Sequence, residues 1–384
     1  MKWKWLAPLA AAAVAGSVAA QQYPKKLVRL VVPFARGRRA GSRRGGLRWG
    51  GDGARPPGSV RRLASIILRL VGAAALAAAA PVIAQNYPTK PVRLVVPFAP
   101  GGGTDIIGRL IAQRLTESWG QTVVVDNRAG AGGVIGADLV AKAPPDGYTV
   151  LMGTPGPLTI NPNLMKSMPY QTLRDFTPIS LATISPFMLV VHPALPARTA
   201  KELIALAKSR PGALNYGSAG NGSVGHLAGE QLAALAGIKT VHVPYKGSSL
   251  AVTDLIAGQL QFMLENLPTV LPHIKAGKLR ALAVGTKRRS GLVPEYPPLN
   301  EAGVPGYEAS TAFGVLGPAR MPAAVSSKLN RDIVGVLQGP DVKDKLSGQG
   351  VEAVGSTPEQ YTAHLRDELE RYARIVKAAG IRPD

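Results

Sequence analysis

Chemistry needs reactive side chains at workable spacing, and this sequence offers several patterns to test. Gly220-Asn221-Gly222-Ser223-Val224-Gly225 matches G-x-G-x-x-G between a strand-like and a helix-like stretch, the context of a dinucleotide site. That chemistry also needs an acid about 20 residues on to hold the ribose, and Thr240 to Val243 supplies none. Ser218 and Ser223 are potential nucleophiles, but Tyr216 and Asn221 stand where a G-x-S-x-G elbow needs glycine. The five histidines, 192, 226, 242, 273 and 364, form neither H-E-x-x-H nor a close ligand pair. With no cysteine, a thiolate metal site and a thiol nucleophile are excluded. No metal and no cofactor are expected, and the chain does not read as an enzyme.

A simpler chemistry survives. Five Gly-rich or polar turns come after strand-like runs: Pro100–Asp105, Asn127–Gly133, Gly153–Gly156, Ser218–Ser223 and Val243–Gly247. A Gly-rich turn that opens a helix presents unpaired backbone N–H groups, and the helix dipole favours an anion there. One such turn is usually only a tight bend. Five together point to an anion-binding cleft in which Thr104, Thr154, Ser218 and Ser223 add hydroxyl groups to the backbone donors. Asp105 is the odd residue: it either stabilises the helix start or meets an ammonium or hydroxyl of the ligand. His226, in the first turn after its Gly-rich loop, is either a structural helix residue or a hydrogen-bond donor to the cleft.

These turns must be held by regular elements. Val92–Pro97 reads as a buried parallel strand, Ile106–Trp119 as a helix, 123–125 and 148–152 as strands, and 136–143 as a helix. After a Pro-rich middle, strands at 188–192, 213–216, 241–243, 262–264 and 279–284 alternate with helices at 200–209, 224–236 and 251–258. Thr199 is the expected N-cap of the first of these helices. A returning strand at 313–317 precedes amphipathic helices at 322–338 and 357–379. The order predicts an α/β protein of two lobes, with the ligand at the carboxyl ends of the strands in the cleft between them.

Net charge is +22 over 384 residues, but it is unevenly placed. Residues 1–85 hold 15 of the 45 basic residues and one of the 23 acids, leaving 30 and 22 for the rest. The later part is therefore only mildly basic, and its scattered Lys and Arg do not form a nucleic-acid surface. Residues 1–20 read as a secretory signal, with Lys2 and Lys4 before an Ala-rich run. Residues 60–85 repeat the design. The segments downstream of the two signals repeat as well: Tyr23–Ala35 matches Tyr87–Ala99 at 11 of 13 positions, 64 residues apart. The first copy then breaks into an Arg/Gly-rich stretch. Residues 1–59 are expected to be a spurious or fused extension carrying a truncated repeat, and 60–85 a cleaved signal peptide. A secreted precursor that contains 1–59 would contradict this. Either signal implies export. Lobe 1 is expected over 86–187 plus 306–384 and lobe 2 over 188–305.

The motifs VPFAPGGGTD (96–105), NRAGAGG (127–133), PDGYT (145–149), YGSAG (216–220), VPYKG (243–247), NLP (266–268) and AGVPGY (302–307) resemble, in this order, the Bug family of periplasmic solute-binding proteins. These are extracytoplasmic receptors of tripartite tricarboxylate transporters. The resemblance implies a type II periplasmic-binding fold whose lobes close on a small organic carboxylate, and a monomer that works with membrane transporter subunits. It implies that Gly102, Gly103, Thr104 and Asp105, with Ser218, Gly220, Asn221 and Ser223, grip the carboxylate, partly through ordered waters. Thr154, His226, Tyr245 and Asn266 complete the candidate set. Glu265 stands where the family usually has Asp, and Ala312 where it often has a bulky aromatic, which is expected to widen the hinge side. A sensor module feeding a membrane kinase is the alternative, separable by neighbouring genes. A secreted enzyme is the other, and turnover of a bound acid would reveal it.

Overall fold

The computed structural model describes residues 87–378. The expected signal segments, the repeat at 23–35 and the Arg/Gly-rich stretch lie outside the described residues. Among the described residues, ten strands form one hydrogen-bonded network in the order β2-β1-β3-β9-β4-β7-β5-β6, with β8 and β10 also paired to β4.

The chain opens with β1 (Val92–Val96), α1 (Gly103–Trp119), β2 (Val123–Asn127), α2 (Val134–Ala141) and β3 (Thr149–Gly153). β1 pairs in parallel with both β2 and β3. Its four apolar residues are buried on both faces, while Arg93 reaches Asp126 at the surface. Val92, Leu94 and Val96 join Ile107, Leu110 and Ile111 of α1 in one core cluster, while Val95 joins Val134 and Val140 of α2 in another. α1 begins at Gly103, three residues before the expected start. It ends where Gly120 adopts a left-handed φ of 63° and caps Thr116 O, a conformation that glycine tolerates best.

The Pro-rich middle is not a loop. It folds, after a one-turn helix at Thr172–Asp175, into β4 (Phe176–Val191), a 16-residue strand that joins the two halves of the sheet. Its first part pairs antiparallel with β9 (Ser310–Pro318), from Phe176 to Pro186. Its last part, Phe187–Val191, pairs with β7 (Phe262–Asn266) and largely also with β8 (Arg280–Val284). Proline cannot donate to a ladder, and the pairing with β9 slips beside Pro178, between Pro178 and Ser180.

The second lobe adds α3 (Ala200–Ser209), β5 (Asn215–Ser218), α4 (Val224–Ala236), β6 (Val241–Pro244), α5 (Ser248–Ile256) and α6 (Leu267–Lys275). Thr199 caps α3 as expected, accepting the Glu202 N–H. β5 pairs in parallel with β6 and β7. Alternation again sorts the two faces. Leu189, Val191, Phe262 and Leu264 pack with α3 and α4, and Met188, Val190 and Met263 pack with α5 and α6. α6 goes beyond the sequence expectation, because Pro268 and Pro272 argue against a helix. Pro268 falls in the first turn, where its missing N–H costs nothing.

The chain closes with α7 (Ala323–Gln338), α8 (Pro340–Gly348), β10 (Glu352–Ala353) and α9 (Pro358–Ala378). α9 spans both lobes. Tyr361 and Leu365 near its start join the first lobe's core, whereas Tyr372 and Val376 near its end join the second lobe's core. The fold is the expected two-lobed α/β architecture. The difference lies at the crossing, where β4 and β9 are longer than the strands expected at 188–192 and 313–317; α9 matches the helix expected at 357–379.

Candidate functional site

Four helices begin at one cleft. Gly102 and Gly103 open α1, Ser223 and Val224 open α4, Ser248 opens α5, and Asn266 precedes α6; all line the same cavity of about 40 Å³. The first turn of a helix leaves N–H groups without internal partners, so each contributes partial positive charge. Among the described residues no lysine, arginine or histidine lines this cavity; its ionisable groups are Asp105 and Glu265. Phe98, Phe187 and Phe313 supply apolar walls. Such a cleft can hold an anionic group by backbone and hydroxyl donors and an aliphatic or aromatic body by contact.

The loop after β1 is fixed from both lobes. Gly101 takes a φ of 86°, open to glycine, and its N–H donates to Asp105 Oδ2 at 3.0 Å. The Gly103 N–H donates to Thr269 Oγ1 at 2.8 Å, and the Ala99 N–H to Lys246 O at 3.1 Å. The Ser249 hydroxyl donates to Pro100 O at 2.6 Å. The cleft is therefore closed, with the first lobe's loop bonded directly to the second lobe.

Asp105 lines the cavity, but its oxygens are occupied. Oδ2 accepts from Gly101 and from Arg109 Nε at 2.9 Å, and Oδ1 accepts from Asn127 Nδ2 at 2.9 Å. Burial acts to raise this carboxyl, yet these bonds and the Arg109 charge outweigh it and hold it below the ordinary carboxylate range. Of the two roles open to Asp105, this placement matches the stabiliser of the helix start.

Thr154, just after β3, is 5% exposed, lines the cavity and has no hydrogen-bond partner for Oγ1. A buried hydroxyl left unpaired is costly, so a ligand oxygen is its natural partner. Thr104 and Ser223 also line the cavity. Ser223 Oγ caps α4 by accepting the His226 N–H at 3.3 Å.

Other candidates lie elsewhere. Ser218 is fully buried, and its Oγ bonds His242 Nε2 at 2.6 Å and accepts the Gly220 N–H at 3.1 Å. His226 accepts the Gly222 N–H on Nδ1 at 3.2 Å and stacks on His242 with centroids 4.2 Å apart. Gly220, Asn221 and Tyr245 line an adjoining groove with Gly130–Gly132, which shares Ala219 with the cavity, and the Tyr245 hydroxyl donates to Asp254 at 2.6 Å. There the Gly-rich loops serve close approach of backbone. A Cβ on Gly132 would strike Asn221 O, and one on Gly222 would strike the Asn161 side chain. Asn161 Nδ2 donates to Gly156 O at 2.9 Å and reaches Gly222 O at 3.3 Å. Ala312 does not face the cleft; alternation along β9 sends Thr311 and Phe313 there and packs Ala312 on the first lobe's core.

Sequence reasoning missed Ser248, Ala219, Val224, Gly225, Thr311 and the three phenylalanines of the wall. Ser248 carried a usable signal, since Gly247-Ser248-Ser249 is a helix start placed before the expected Ala251. Phe187 and Phe313 carried none, because their facing depends on how β4 and β9 pair with strands remote in sequence.

The chain is similar to known proteins in sequence and in fold. Residues 107–381 match the family model TctC, described as the tripartite tricarboxylate transporter family receptor. Protein BugT of Bordetella pertussis is 40% identical over 323 residues, covering 84% of this chain and 98% of its own length. The solved structure of R. palustris Rpa4515 with adipate is 40% identical, with a TM-score of 0.76 over 78% of this chain and all of that one. MatC (Rpa3494) from Rhodopseudomonas palustris with bound malate is 30% identical, with a TM-score of 0.73 over 76% of this chain and all of that one.

Proposed function

The chain belongs to the tripartite tricarboxylate transporter receptor family, and on that premise we propose that its cleft holds a small carboxylate on the first turns of α1 and α4 and on the Thr154 hydroxyl. As a receptor of this family it is a periplasmic solute-binding protein that captures a small organic carboxylate for a membrane transporter. The single observation that carries the site is the orphan Thr154 Oγ1, buried on a cation-free wall where four helices begin.

The proposed ligand contacts are the N–H groups of Gly102, Thr104, Val224 and Gly225 and the side chains of Thr154, Ser248 and Asn266. Adipate and malate, held by two relatives, are the first candidate ligands. The apolar walls suit the methylene chain of such acids. The moving bodies are 86–187 with 306–384, and 188–305. The change of β4 partner after Pro186 supports this division. The protein acts as a monomer without catalysis, and the receptor family supports the latter. Residues 60–85 are removed on export; N-terminal sequencing of the secreted protein checks this, and a start well before residue 86 would refute it. Among the described residues no helix is long and apolar enough to cross a membrane.

A thermal-shift screen of the purified chain with dicarboxylates, aromatic acids and amino acids tests the function. A ligand that binds only the folded form adds about 2.7 kcal/mol at 100 times its Kd. A shift with one class of acid, without turnover, supports the receptor. Turnover of a bound acid, or no shift with any anion, counts against it.

A further inference from the structure

Among the described residues, the cleft wall carries two acids and no base. Asp105 has Arg109 for a partner; Glu265, at the end of β7, has no ion-pair partner among the described residues. It is 2% exposed. Its Oε1 accepts both the backbone N–H of Asn266 at 2.9 Å and the Asn266 side-chain N–H. Burial pushes this carboxyl up to about 7, against the opposing pull of Asn266 and Ser248. An ionised Glu265 would repel a ligand carboxylate where water cannot screen the two charges. A buried carboxylic acid that keeps its proton is instead a strong donor to an anion.

We propose, resting on the carboxylate reading above, that Glu265 is the specificity-determining residue of the cleft: carrying a proton, it donates to a ligand carboxylate, so that anion and proton are captured together. Oε1 is held as an acceptor by Asn266, so the proton resides on Oε2. A ligand that presents an ammonium to this wall would call for the ionised acid and gain no proton.

The surroundings contain few competing titrations. From β4, Phe187–Val191 brings no ionisable group. β5 brings Tyr216, bonded to Glu230, and α4 brings His226, bonded to Gly222. α5 brings Asp254, bonded to Tyr245, and α6 carries His273 and Lys275 in its last turn. Across the cleft stands Asp105 with Arg109.

Titration calorimetry of the purified full chain with adipate and with malate, at pH 7, 8 and 9 and in two buffers of different ionisation enthalpy, tests this. Ordinary carboxyls titrate near ~4, so both acids are fully ionised throughout. The expected result is uptake of about one proton per ligand at pH 8 and affinity falling about tenfold per pH unit above 7. Glu265→Gln keeps a donor at every pH; its profile flattens, and at pH 9 it binds about tenfold or more tightly than the parent. Proton uptake is read on the parent itself and does not depend on how the variant folds. Binding without proton uptake, or an unchanged profile in Glu265→Gln, overturns the proposal and leaves the carboxylate reading in place. Failure of the parent to bind these or any other small carboxylate at all three pH values overturns both.

Discussion

Gly103 lies against Asn266 across the cleft, so closely that a Cβ added to Gly103 would fall inside the Asn266 side-chain amide. The two residues belong to opposite lobes, so a motion that opened the cleft would part them. The Gly103 backbone does not need a positive φ, so Gly103→Ala is tolerated within its own lobe. It is expected to leave the melting temperature of the free protein within a few degrees of the parent and to weaken ligand binding by roughly tenfold or more, about 1.4 kcal/mol. Calorimetric titration with the ligand found in the screen reads this directly. Parental affinity would mean that closure does not bring these residues together.

Asp105 bonds three donors within its own lobe, from Gly101, Arg109 and Asn127. Asp105→Ala removes the fixation of the loop and is expected to destabilise the protein by about 1–3 kcal/mol. It should weaken a dicarboxylate and an amino acid by the same factor. The carboxyl is held below its ordinary range, so its stabilisation is present above pH ~4 and is lost as the pH falls through the lowered value. A loss confined to ammonium-bearing ligands would show that Asp105 meets the ligand itself.

Much of the site was legible because the turn residues carry their own physics. Gly101-Gly102-Gly103-Thr104-Asp105 announces a strand-to-helix turn, and Ser223 announces a cap. The illegible part depended on partners remote in sequence. Ser218 has the right type and the right loop, but its direction is set by the pairing of β5 with β6, which puts His242 beside Tyr216 and Pro244 beside Ser218. The first part of β4 was hidden by Pro178 and Pro186, which local rules treat as breaks, whereas its end matches the strand expected at 188–192. α6 was hidden by Pro268 and Pro272, although a proline in the first turn is harmless. Glu265 stood out only as a departure from a motif; its burial and its lack of a cation needed the tertiary fold.

Thr154 offers a test in which stability and binding move oppositely. Its Oγ1 is buried without a partner, so Thr154→Val removes an unsatisfied group at nearly constant shape. The free protein is expected to be unchanged or up to ~1 kcal/mol more stable. Binding of the carboxylate is expected to weaken by about 0.5–1.5 kcal/mol, the net value of one hydrogen bond. Paired melts with and without ligand check both signs. If ligand-induced stabilisation is as large in the variant as in the parent, the hydroxyl does not touch the ligand.

His242 sets an acid limit on the second lobe. Burial, with a smaller contribution from His226, pushes its imidazole down to about 3, and its Nε2 bonds the buried Ser218 hydroxyl. A histidine kept neutral in the fold adds stability that is present above pH ~6.5 and is lost progressively as the pH falls toward the lowered value. Glu265 acts in the opposite sense, since its raised carboxyl favours the fold at low pH and loses that effect as the pH rises toward about 7. The two separate cleanly in a Glu265→Gln background. There, the urea midpoint is expected to drop between pH 7.5 and pH 5, and adding His242→Gln should remove most of that drop. An equal drop in both proteins would assign the acid sensitivity to other groups and leave the Ser218–His242 pair with a packing role alone.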